Sequence, residues 1–175
     1  MKKKQDIVML TIDSSTKKTG IAIWVNGYFK ERHLVNYDEK DNKGKPYYKD
    51  CKKMDTRYPL MARDIYNILN QYQPTILYIE DEVVSRNMAT CRFLFRLQGV
   101  IEGWCLSHDC EFNTVRPSQW RSACGFEQGK GHDRDDLKKQ AIAFVKKMYG
   151  IDVTDDEADA ICIGYYVLKL FGLVD

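Results

Sequence analysis

Leu10-Thr11-Ile12-Asp13-Ser14-Ser15-Thr16-Lys17-Lys18-Thr19-Gly20 begins at the end of an apolar run and closes on a glycine. The run itself, residues 7–12, has the length and aliphatic content of a buried strand. It stops at one carboxylate, Asp13, and passes into a polar turn. Residues 21–25 then lead away as a second apolar run. A carboxylate at the mouth of a buried strand is carried on rigid backbone at the edge of a core, the support that a metal or catalytic site requires. An Asp that merely caps a turn looks the same. The meaning of Asp13 therefore depends on what else the chain brings to that edge.

Asn26-Gly27 separates residues 21–25 from a strand-like run at 28–35, and this dipeptide suits a type I′ hairpin turn. The first strand joins the hairpin as an antiparallel meander. Residues 36–58 turn polar and lysine-rich, with Tyr47 and Tyr48 among the charges and Gly44 and Pro46 against regular structure. They read as a solvated loop, or as a loop that tracks a nucleic-acid backbone and offers aromatics for stacking. Leu60, Ile65, Ile68 and Leu69 recur at helical spacing, so residues 59–72 should form an amphipathic helix with Pro59 in its first turn. Residues 75–79 are a second buried-strand run, ending at Glu80. A helical crossover between two strands implies a parallel, right-handed connection. Asp13 and Glu80 should therefore meet at one carboxyl edge of the sheet, where sites form in open α/β sheets.

A long helix follows over residues 87–108, with Ser85 as its cap. Met88, Cys91, Leu94, Phe95, Ile101, Trp104 and Cys105 line much of it. Gly99 and Gly103, four apart, leave a flat spot for close packing on the sheet or on a second subunit. Residues 111–115 read as a short strand and 117–123 as one or two helical turns. The loop 124–133 carries Gly125, Gly129, Gly131, Lys130 and His132, flanked by Arg121 and Arg134. It reads as an ordinary connection or as a mobile basic loop beside an acidic site. Asp133 or Asp135 starts a helix through Leu137, Ile142, Val145 and Met148 that Gly150 ends. Thr154, with Glu157 three residues on, opens the last helix as a capping box. The dipole of that helix accounts for Asp156 in its first turn. It does not account for Asp159, which lies further in and borders the apolar run 160–168.

The whole-chain properties narrow the class. A chain of 175 residues with 44% hydrophobic content can fold as one domain, residues 1–175. A net charge of +2 gives no global basic field, so any nucleic-acid contact must come from local clusters. The six cysteines form no CxxC pair and suit a reducing, cytoplasmic compartment. The lysines at the N-terminus are followed by too short an apolar run for a signal peptide. The apolar C-terminal run is too short and too charged for a membrane span. No zinc-type His/Cys spacing and no glycine fingerprint for a nucleotide cofactor is present.

Carboxylates from two strand ends and one buried helix repel one another. A divalent cation offsets that repulsion, and an all-oxygen donor set suits Mg²⁺ or Mn²⁺. At this point Ile12-Asp13-Ser14-Ser15 with Thr19-Gly20 resembles the first motif of RuvC-type Holliday-junction resolvases, in the RNase H-like superfamily. Tyr78-Ile79-Glu80 resembles their second acidic motif, and Asp156-Glu157-Ala158-Asp159-Ala160-Ile161 the last. The resemblance runs from about Ile7 to Tyr166. It implies an α/β fold: a mixed five-stranded sheet, antiparallel meander plus parallel strands, flanked by helices. It implies metal ligands and catalytic groups at Asp13, Glu80, Asp156 and Asp159, with Mg²⁺ as cofactor and Mn²⁺ able to substitute. It implies DNA contacts from Arg86, Asn87, Arg121, Lys130 and Arg134, the arginines at 121 and 134 standing where the family usually has lysines.

Val83, where many cellular members place an aromatic wedge, the extra acids Asp81 and Glu82, and the lysine-rich loop resemble phage and other divergent members instead. The activity so implied is hydrolysis of branched DNA, four-way junctions above all, with two metal ions roughly 4 Å apart. Asp13 would bridge both ions, Glu80 would hold one, and Asp156 with Asp159 the other. The products would be a 5′ phosphate and a 3′ hydroxyl. Paired symmetric nicks call for a twofold homodimer. Two rivals remain: a non-catalytic junction-binding module of the same fold, and a phosphotransferase of the actin and sugar-kinase type. The second needs a larger, two-lobed chain and another phosphate loop.

Overall fold

The computed structural model describes residues 6–38, 40, 51, 53–81 and 87–174. The expected meander is present. Strand β1 (Val8–Ser14) pairs antiparallel with β2 (Lys18–Val25), which pairs antiparallel with β3 (Tyr28–Asn36). Asn26 and Gly27 both take positive φ, 53° and 85°, as a type I′ turn requires. β2 begins three residues earlier than the apolar run suggests. Ser15 closes the turn by bonding the Lys18 carbonyl through its hydroxyl, at 2.7 Å.

Helix α1 (Met54–Tyr72) then crosses to β4 (Ile76–Glu80), which runs parallel to β1. α1 starts five residues before the expected position, so Pro59 lies inside it. Proline there removes one ladder bond. The early turn is fastened instead by Arg57, which is buried and donates to the carbonyls of Thr16 (2.5 Å) and Cys51 (3.0 Å). Periodicity of apolar residues could not announce an anchor made by a cation. Most of the lysine-rich loop, with Tyr47 and Tyr48, lies outside the described residues.

Helix α2 (Met88–Ser107) leads to β5 (Glu111–Val115), parallel to β4. Its cap is Asn87, whose side-chain oxygen accepts from the amides of Ala89 and Thr90 at 3.0 and 3.3 Å. Ser85, the expected cap, lies outside the described residues. The buried face of α2 carries Cys91, Phe93, Leu97, Ile101, Trp104 and Cys105. Met88 and Phe95, expected to help line that face, are exposed, and Gly99 and Gly103 face open space, so their flat spot is not packed on the sheet. Helices α3 (Pro117–Ala123), α4 (Arg134–Tyr149) and α5 (Asp155–Leu170) complete the chain. Asp133 caps α4, Gly150 ends it, and Thr154 with Glu157 closes the capping box of α5, all as the sequence indicates.

The sheet order is β3-β2-β1-β4-β5, and apolar side chains leave both faces. Leu10, Ile12, Ile21, Ile23, Leu77 and Ile79 pack beneath α1 and α2. Met9, Ala22, Trp24 and Val115 pack on the other face with Trp120, Val145 and the apolar side of α5. Strands β1 and β4 are therefore covered on both sides, and their C-terminal edge opens between helices α3, α4 and α5. No helix among the described residues is long and apolar enough to cross a membrane.

Candidate active site

The parallel register pairs Ile12 with Ile79, so Asp13 and Glu80 are the next residues on adjacent strands. The antiparallel register sets Asp13 opposite Gly20 on β2. Gly20 is small for a reason: a Cβ there would lie 1.9 Å from the main-chain oxygen of Asp156. The first turn of α5 thus rests directly on β2 beside Asp13. Three further contacts seat this helix. The Thr11 hydroxyl donates to the Ala160 carbonyl at 2.7 Å and accepts from the Trp24 indole at 3.1 Å. Gly164 leaves room for the same indole, which lies 2.2 Å from where a Cβ would be. Arg32 on β3 pairs with Glu157 at 3.0 Å and donates to the Asp152 carbonyl at 2.9 Å.

The result is a pocket of about 370 Å³ lined by Asp13, Glu80, Asp156 and Asp159, together with Asp155, Arg121, Arg134 and Lys138. All four acids expected at the site reach it, from two strand ends and one helix. Arg121 and Arg134 reach it too. Lys130 and Asn87 do not, Asn87 being the cap of α2. Arg86 and Glu82 lie outside the described residues. Asp81 extends the sheet by donating its amide to the Val115 carbonyl at 2.8 Å and does not line the pocket. The loop 124–133 is fastened rather than loose. Phe126 is buried edge-on to Trp120, and Gln140 bonds Glu127 through both its amide oxygen and its amide nitrogen.

Two groups in the pocket, Trp120 and Lys138, were not singled out from sequence. Trp120, buried, donates its indole N–H to Glu80 Oε2 at 2.7 Å. Lys138 ion-pairs with Asp155 across α4 and α5. The spacing of Lys138 from Arg134, four residues on one helix, was the available signal.

The electrostatics follow from crowding anions where water is scarce. Burial holds the Glu80 carboxyl above the usual range, against the Trp120 hydrogen bond and the charges of Arg121 and Arg134, which pull it down. Asp156 is raised by burial and next by the charge of Asp155. Asp159 is pushed up to about 8, first by burial and then by the charge of Glu80, with Arg121 opposing. The nearby cations do not compensate these acids. The Arg121 Nε is itself buried with no hydrogen-bond partner. The pocket therefore holds acids short of positive charge and a guanidinium with one buried donor unsatisfied.

No His or Cys lines the pocket, so its donors suit a hard cation. Among the described residues no group of three or more His, Cys, Asp or Glu side chains converges as a ready-made metal cage. Mg²⁺ does not ask for one: it binds through one or two carboxylates and completes its shell with water and phosphate oxygens. The donor chemistry and the uncompensated charge fit such an ion.

No family model matches the chain. It is 24% identical over 159 residues to the crossover junction endodeoxyribonuclease RuvC of Rickettsia akari, covering 91% of this chain and 95% of that one. Among solved structures, the fold is similar to Thermus thermophilus RuvC in complex with a Holliday junction substrate, at a TM-score of 0.65 and 12% identity over 95% of this chain and 97% of that one. It is similar also to a fowlpox virus resolvase in complex with Holliday junction DNA, at 0.59 and 12% over 94% and 99%. The mixed sheet with flanking helices is thus the RNase H-like fold of these resolvases, and the resemblance carried by the three motifs extends along nearly the whole chain.

Proposed function

We propose that this relative of RuvC is a structure-selective endodeoxyribonuclease that resolves Holliday junctions or other branched DNA. One observation carries the reading: Asp13, Glu80, Asp156 and Asp159, scattered along the sequence, line a single pocket with Arg121 and Arg134. A junction-binding module without catalysis has no use for a pocket in which burial and neighbouring acids raise the proton affinity of Glu80, Asp156 and Asp159. The acids would hold Mg²⁺, with Mn²⁺ a substitute, Asp13 from the centre of the sheet and the others from either side.

When bound, the divalent ions would supply an activated water and positive charge opposite the departing 3′ oxygen. The protein's own groups do the rest. Trp120 fixes Glu80 by one oxygen. Arg121, with a buried donor unsatisfied, and Arg134 take the oxygens of the target phosphodiester. Attack at phosphorus leaves a 5′ phosphate and a 3′ hydroxyl. Backbone contact without base contact makes binding steeply salt-dependent.

Paired nicks need two copies. The exposed face of α2 supports a twofold homodimer. Met88, Phe95 and Leu106 are exposed along it, and nothing lies within 4 Å of where Gly99 or Gly103 would carry a Cβ. If two antiparallel α2 helices cross at Gly99, Phe95 of each copy meets Gly103 of the other and Arg96 meets Glu102. Such a crossing would be self-complementary, as an isologous interface must be.

The decisive experiment is Asp13→Asn on a synthetic four-way junction with Mg²⁺. Cleavage should fall by at least about 100-fold while junction binding persists. Cleavage near the wild-type rate would remove Asp13 from the chemistry and with it this reading.

A further inference from the structure

Lys138 stands one helical turn after Arg134 on α4, and both line the acidic pocket. Its side chain is only 35% exposed, so it is committed to the pocket rather than to solvent. It ion-pairs there with Asp155 of α5, itself 26% exposed. Both helices have other anchors. Thr154 and Glu157 already cap α5. α4 already lies on α5 through Ala141 and Val145, buried in one cluster with Ile161. The partial positive charge at the N-terminus of α4 favours anions in its first turn. Asp136, which answers that preference, is bonded to His132 (2.6 Å) and Gln140 (2.8 Å). Asp155 stands in the first turn of α5 and shares a side-chain hydrogen bond with Asp156, and within the pocket it keeps a cation, Lys138, occupied.

We propose that Lys138 is a substrate-contacting residue, held on Asp155 in the DNA-free protein and transferred to a non-bridging oxygen of the target phosphodiester on binding. This rests on the nuclease reading above. The exchange replaces one singly charged oxyanion by another, so no proton has to be gained or lost. It adds a third cation to Arg121 and Arg134 around the phosphate. It makes Asp155 a competitor of the substrate, and a phosphate contact has a signature that a plain interhelical strut lacks: the salt slope falls by one contact when Lys138 is neutralised and returns with Lys138→Arg. Removing either partner breaks the same ion pair, yet the two losses should move DNA binding in opposite directions.

The test is junction binding by fluorescence anisotropy in EDTA across a series of salt concentrations, with melting temperature measured on each variant. Lys138→Gln should weaken binding about fivefold and reduce the slope of log K against log salt by about 0.9, the share of one phosphate contact. Lys138→Arg should restore both. Asp155→Asn should tighten binding by a similar factor and keep the wild-type slope, although its melting temperature shifts like that of Lys138→Gln. The assignment is overturned if Lys138→Gln keeps the wild-type affinity and slope, or if Asp155→Asn weakens binding in step with it. A wild-type protein that binds no junction overturns the nuclease reading and this one together. Intact wild-type binding with an indifferent Lys138 overturns this one alone.

Discussion

Glu80 shows how much one side chain depends on its neighbour. The Trp120 indole takes up Oε2 and leaves the other oxygen for the pocket. It also pulls the carboxyl's proton affinity down against burial. Trp120→Phe keeps the ring packed and deletes the donor. Its half-saturating Mg²⁺ concentration should rise by roughly 10–100-fold, the usual cost of losing an outer partner of a metal ligand. The acid limb of its pH–rate profile should move upward, since Glu80 then holds its proton more firmly. Titrating cleavage against Mg²⁺ and pH checks both. Asp159 gives a second pH effect. Its folded value, about 8, lies above the ordinary carboxylate range. Between pH 4 and 8 the metal-free folded state therefore holds a proton that the unfolded chain has released. Stability contributed by that proton is complete at the acid end and is lost as pH rises toward 8. Melting temperature in EDTA should fall across this window, and Asp159→Asn should flatten the fall. Asp13, Glu80 and Asp159 were legible in the sequence because each interrupts or borders an apolar run. Trp120 was not, because a tryptophan on a short helix reads as core filler, and here it is core filler that also donates.

α5 carries Asp156 and Asp159, so its seating sets the site. Gly20 lets its first turn touch β2, and Gly164 lets its middle clear Trp24. Gly20→Ala would drive a methyl group into the Asp156 carbonyl. The expected cost is about 1–3 kcal/mol of stability, together with a loss of about 100-fold in cleavage, because a displacement near 1 Å is enough for that. Thermal melts and single-turnover cleavage separate the two effects. The caps of α4 and α5 and the I′ turn were legible because each is local chemistry between residues close in sequence. The start of α1 was not, because Arg57 is anchored by Thr16, far away along the chain. The outward face of α2 was misread for a related reason. Met88 and Phe95 follow the apolar spacing, but spacing does not say whether an apolar side chain is covered by its own chain or left for another.

For the whole molecule, the sheet's double cover leaves one edge open for the candidate site and the outward face of α2 exposed. Phe95→Glu should convert the proposed dimer to monomer without unfolding it, as sedimentation and circular dichroism would show. Paired cutting of a four-way junction should then give way to single nicks. The sheet order follows from the meander, the crossover helix and the handedness of parallel connections, so it was open to inference from the chain alone. The charge shortage of the pocket was not, because it arises from groups on β1, β4, α3, α4 and α5 together. The in-register pairing of β1 with β4 has one more consequence. Asp13 and Glu80 hang level with each other from neighbouring strands of a hydrogen-bonded mesh, whose strand-to-strand pitch is about 4.8 Å in any protein. The yardstick for the proposed cutting chemistry is thus the peptide group itself. Evolution can repaint the rim of this cleft, but a one-residue slip in either strand would turn an acid to the opposite side of the sheet.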